Sequence, residues 1–117
     1  MIKFYRTDHK VLSEITEYED NMWVCMTKPT VDETKLIAED FEIDLADVRA
    51  ALDDEESSRV EVEDGYTLIL VDIPSIEMRN EREAYTTIPL GIILVKDILI
   101  TVCAEDTPVL DAFIESK

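Results

Sequence analysis

Residues 59–71 read Arg59-Val60-Glu61-Val62-Glu63-Asp64-Gly65-Tyr66-Thr67-Leu68-Ile69-Leu70-Val71, and this stretch decides the fold. Its first five residues alternate charged and apolar side chains with a period of two, the pattern of a strand with one wet face. Asp64-Gly65 then signals a two-residue turn, because glycine accepts the left-handed backbone that such turns need. The strand that returns is apolar on both faces, as are Ile92-Ile93-Leu94-Val95 and Ile98-Leu99-Ile100. Strands of that kind sit at the centre of a sheet covered on both sides, so helices must supply at least one cover.

Upstream, Ile2 to Tyr5, a segment around Val11 to Tyr18, and Met22-Trp23-Val24-Cys25-Met26 lean towards strand by content. Thr30 with Glu33 three residues on forms a capping box, which predicts a helix to about Phe41 with Leu36, Ile37 and Phe41 as its apolar stripe. Asp44 and Asp47 open a second helix that carries Leu45, Val48 and Leu52 on one face. Downstream, Ser75 to Tyr85 is so charged that it reads as a mobile excursion between strands. Thr107-Pro108 starts a last helix with Val109, Leu110, Phe113 and Ile114 apolar, and its abrupt stop at Lys117 reads as a cut through a longer protein. The expectation is one α/β domain spanning residues 1–117, a central mixed sheet flanked by helices.

Charge limits the partners. Among 117 residues, 28 are acidic and 11 basic, for a net charge of −17. A surface this negative repels phosphate backbones and anionic headgroups, so neither nucleic acid nor direct lipid binding is expected. Fourteen of the 28 acidic residues fall between Asp32 and Asp64, against only Lys35, Arg49 and Arg59. Hard cations or a basic partner surface suit that region, and a merely solvated face is the plainer reading of the same charges. The run from Ile88 to Ala104 is not a membrane span, since Lys96-Asp97 breaks it at what reads as a hairpin tip. The N-terminus is too polar for a secretory signal. Cys25 and Cys103 lie far apart inside strand-like runs, as buried hydrophobes of a protein kept in a reducing compartment.

Catalytic chemistry has little to build on. Gly65 and Gly91 are the sole glycines, too few for a phosphate-cradling loop. His9 is the sole histidine, on a polar turn with no nucleophile placed beside it by motif. Two cysteines and one histidine also fall short of a tetrahedral zinc set. The window Asp53 to Asp64 has the oxygen spacing of an EF-hand loop at its start, but Ser58 stands at the glycine of the sharp turn and Asp64 at the bidentate glutamate.

Taken in order, Trp23 in a strand, Pro29-Thr30 opening a helix, Phe41-Glu42-Ile43, Arg59-Val60-Glu61, Tyr66, Leu68-Ile69-Leu70 and Ile98-Leu99-Ile100-Thr101-Val102 form a series. From about Met22 onward it resembles the N-terminal cytosolic domain of the CorA family of magnesium transporters. The resemblance implies the cytosolic domain of a homo-oligomeric, pentameric channel, at the cytoplasmic face of the membrane. A stalk helix and the transmembrane segments with their Gly-Met-Asn signature would follow, and Mg²⁺ between subunits would favour the closed state. It implies no enzyme. Two departures stand out: Arg49-Ala50 occupies the end of the second helix, where the family carries an acidic metal ligand, and Ser58 replaces a proline. The neighbouring carboxylates Asp53, Asp54, Glu55 and Glu56 are the expected substitutes for a regulatory Mg²⁺. The rival expectation is a free-standing acidic domain that docks onto a basic partner.

Overall fold

In the computed structural model the structure describes residues 1–53, 55–79 and 82–115, with side chains described for all of these except 76–79, 82–85 and 113–115. The chain opens with three strands, β1 (Ile2–Asp8), β2 (Val11–Ile15) and β3 (Met22–Thr27). Two helices follow, α1 (Val31–Asp40) and α2 (Leu45–Val48), the second running into a 3-10 turn at Ala50–Leu52. Four more strands, β4 (Arg59–Glu63), β5 (Tyr66–Arg79), β6 (Arg82–Val95) and β7 (Ile98–Cys103), precede α3 (Pro108–Glu115).

The strands make one seven-stranded sheet in the order β2-β1-β3-β7-β6-β5-β4. All pairs are antiparallel except β3 and β7, which run parallel with Trp23 opposite Leu99 and Thr27 opposite Cys103. A parallel pair needs a crossover, and here α1, α2 and the β4–β6 meander together supply it. The expected α/β architecture is therefore the observed one.

Period-two alternation sorts the side chains into two layers. On one face Met22, Val24 and Met26, Leu68 and Leu70, Ile93 and Val95, and Ile100 and Val102 pack beneath Ile37, Val48 and Ala51 of the helical segment. Each fully buried Ile, Leu or Val contributes about 1.5–3 kcal/mol, so this layer dominates stability. Gly91 belongs to it, since a Cβ there would sit 3.1 Å from the Ala51 Cβ, and glycine lets the 3-10 turn rest on the sheet. On the opposite face Tyr5, Trp23, Cys25, Leu90 and Cys103 pack with Leu110 of α3. The Trp23 indole N–H donates to the Thr101 hydroxyl at 2.9 Å, which satisfies its polar edge inside that layer.

The capping box at α1 forms as read: the Thr30 hydroxyl accepts from the Glu33 N–H at 3.1 Å, and the Glu33 carboxylate accepts from the Thr30 N–H at 2.8 Å. That second bond is the first cause of a Glu33 carboxyl held below its ordinary range. Three expectations need correction. Leu36 is 48% exposed, and Thr34 and Ala38 join Ile37 on the buried side, because the helix rolls its small residues onto the sheet. The second helix lasts one turn before tightening to 3-10 geometry, so Leu52 reaches the core through a turn. Ser75 to Tyr85 is no excursion: β5 and β6 stay paired out to Arg79 opposite Arg82, because a backbone ladder does not depend on apolar side chains. Asn80 and Glu81 in that stretch, and the side chains of Phe113 and Ile114 in α3, lie outside the described residues.

Candidate functional site: a carboxylate cluster at the sheet edge

The site is built where α2 meets the β4–β5 hairpin. Asp44 caps α2, its carboxylate accepting from the Ala46 N–H at 3.0 Å. One turn on, this places Asp47 towards the sheet. Tyr66, the first residue of β5, is nearly buried, and its hydroxyl accepts from the Asp44 N–H at 3.3 Å and donates to Asp47 Oδ2 at 2.5 Å. One phenol therefore ties the helix start to the hairpin. Burial, and then the Asp47 carboxylate, push the Tyr66 hydroxyl up to about 12.

Across the hairpin Glu63 faces Tyr66 and Glu61 faces Leu68, so the two glutamates lie on the same side of β4 as Asp47. Asp47, Glu61 and Glu63 each offer a carboxylate oxygen, and these oxygens lie within 4.8 Å of one another. Arg59 offsets part of the charge: its Nε donates to Glu61 at 2.6 Å and its Nη1 to Glu56. Both pairs hold the guanidinium pKa up.

Three carboxylates at this spacing form a hard-oxygen donor set. Carboxylates gathered this closely can hold a hard divalent cation, directly or, as Mg²⁺ ordinarily prefers, with retained water in part of the shell.

Among the described residues, the loop carboxylates named from the sequence do not join this group. Asp53 and Glu55 are exposed, and the Asp53 side chain accepts from the Glu55 N–H at 3.0 Å in a local turn. Glu56 is half-buried against Arg59, which links it to Glu61, and Asp54 lies outside the described residues. The EF-hand spacing has no structural counterpart, since β4 begins inside the window at Arg59. Arg49 turns back into the fold, its guanidinium donating to the buried Thr34 hydroxyl at 3.0 Å. Sequence reading missed Asp47, Glu61 and Glu63 as a set. The period-two Glu61 and Glu63 pair was its local signal, but Asp47 reaches them only through Tyr66. His9 stands on the exposed β1–β2 turn with its Nε2 3.5 Å from Asp8. Cys25 and Cys103 are buried free thiols, with pKa values raised first of all by burial.

Residues 18–116 match the family described as CorA-like Mg²⁺ transporter protein. No curated protein sequence matches the chain. The soluble domain of CorA from Methanocaldococcus jannaschii superposes with a TM-score of 0.77 at 22% identity, covering 100% of this chain and 47% of that one. The complete CorA magnesium transporter from the same organism gives 0.77 at 17% identity, covering 99% and 36%. The ZntB cytoplasmic domain from Vibrio parahaemolyticus gives 0.72 at 14% identity, covering 97% and 48%. The chain thus spans between 36% and 48% of the length of these structures, and at such identities the likeness establishes the shared fold.

Proposed function

Because this chain belongs to the family of CorA-like Mg²⁺ transporter proteins, we propose that it is the cytosolic regulatory domain of a divalent-cation transporter. In this reading it senses cations on the cytoplasmic side and contributes to gating through subunit packing in a homo-oligomer. The observation that carries the reading is the cluster of Asp47, Glu61 and Glu63, whose oxygens lie within 4.8 Å. It sits in the acid-rich third of a chain with net charge −17.

The physical mechanism is charge neutralisation. Acidic faces of neighbouring copies repel, and carboxylates that share a divalent cation lose that repulsion. Asp47, Glu61 and Glu63 hold the ion, Tyr66 keeps Asp47 in reach, and Arg59 keeps Glu61 from swinging away. The carboxylates of the 53–56 segment add negative charge to the same region of the chain. An ion that binds the packed arrangement better than the splayed one shifts the population towards packing, and its removal reverses the shift. Pore and stalk lie in other segments of the transporter, and the present domain does no catalysis in this scheme.

The test is a titration with millimolar Mg²⁺ at constant ionic strength, following thermal stability and sedimentation together. A rise in melting temperature or in association state, absent in E61Q/E63Q, is the expected result. No response in either quantity sinks the reading.

A further inference from the structure

A second feature of β4 concerns its free side. It is the last strand of the sheet, bonded to β5 and, among the described residues, to no strand beyond. Glu63 faces Tyr66 across the two-residue turn, which makes Glu63–Tyr66, Glu61–Leu68 and Arg59–Leu70 the hydrogen-bonded pairs of the hairpin. The backbone N–H and C=O of Val60 and Val62 therefore point outward, away from β5. The side chains of these two valines are 65% and 81% exposed on one face, while Glu61 and Glu63 present carboxylates on the other.

Edge strands ordinarily carry lysine, proline or a bulge to prevent pairing. β4 carries none of these, and its one cation, Arg59, is already held by Glu56 and Glu61. Its defence is purely acidic, and that works against one class of partner only. A second copy pairing antiparallel about Glu61 sets this carboxylate against its own equivalent, between two chains of net charge −17. A basic strand meets no such penalty.

We propose that the β4 edge is a docking site for an extended basic segment of another protein, in which lysine or arginine alternates with apolar residues. The partner strand accepts and donates backbone bonds at Val60 and Val62. Its apolar side chains stand beside those valines and its cations beside Glu61 and Glu63. The inference rests on the open edge and does not depend on cation sensing. Divalent cations and the basic strand compete for the same two glutamates.

The test uses the whole 117-residue chain at low ionic strength and the capped pentapeptide Lys-Val-Lys-Val-Lys, followed by amide NMR shifts and exchange. The expected result is saturable binding with shifts confined to β4, β5 and α2, and slowed exchange at Val60 and Val62. A block peptide of the same composition, Lys-Lys-Lys-Val-Val, should bind markedly more weakly. E61Q/E63Q should weaken the alternating peptide about three- to tenfold. V62P removes an outward donor without touching the β4–β5 ladder, and should reduce binding to the level of the block peptide. Three results would overturn the proposal: no saturable binding, equal binding of both peptides with shifts spread over residues 32–64, or self-association through β4 in place of peptide binding. Failure of the Mg²⁺ response with peptide binding intact would overturn only the cation reading.

Discussion

Tyr66 holds the site together, because its hydroxyl serves both the Asp44 N–H and the Asp47 carboxylate from a nearly buried position. Y66F removes both partners while keeping the ring, and should cost about 1–2 kcal/mol, read as a lower urea midpoint at unchanged slope. The same phenol has a pH signature, shared with Tyr18, whose hydroxyl donates to Asp40 and is also raised to about 12, chiefly by burial. A folded-state pKa raised above the ordinary tyrosine value of about 10 stabilises the fold fully below pH 10, and that stability is lost as pH rises towards 12. The chain should hold its stability to about pH 10 and lose it above, with the absorbance of these two tyrosinates appearing late. In Y66F the late-titrating absorbance should fall by the share of one tyrosine. The sequence marked Tyr66 as one element of the family series, but its hydrogen-bond partners were not legible there. Its partners lie 22 and 19 positions away, and no local pattern encodes that separation.

At the scale of elements, local chemistry was readable wherever neighbours in the chain supplied the partners. The Thr30 and Glu33 box, the Asp44 cap and the Asp64-Gly65 turn all formed as their residue types require, with Gly65 at φ 93. The β5–β6 arm was misread because charges at residues 77–83 say nothing about backbone pairing, which runs on to Arg79 opposite Arg82. The β1–β2 turn is the reverse case: His9 and Lys10 hold φ of 50 and 65, both in the left-handed region, without glycine or asparagine. Replacing them with Asn-Gly should stabilise the hairpin by about 0.5–1 kcal/mol, measurable as a higher melting temperature. A decrease would mean that the His9 and Lys10 side chains make contacts that outweigh their backbone cost.

At the scale of the molecule, the order of strands and helices was legible and a mixed sheet was expected, but which strands pair parallel, β3 with β7, was not. The region of the candidate cation site was legible, but the grouping of Asp47, Glu61 and Glu63 within it was not. Charge density pointed to residues 32–64, and the loop at 53–56 stood out for its local charge and its closeness to Arg49-Ala50. Asp47, Glu61 and Glu63 converge because a helix start and one strand face meet over Tyr66, a juxtaposition no local pattern encodes. In the proposed function these three carboxylates hold the regulatory ion. Mn²⁺ takes the same oxygen ligands as Mg²⁺ and broadens nearby NMR signals. At substoichiometric Mn²⁺ the strongest broadening should fall on the amides of Asp47, Glu61 and Glu63 and be reversed by excess Mg²⁺. Broadening centred on residues 53–56, or spread evenly over the acidic surface, would contradict it.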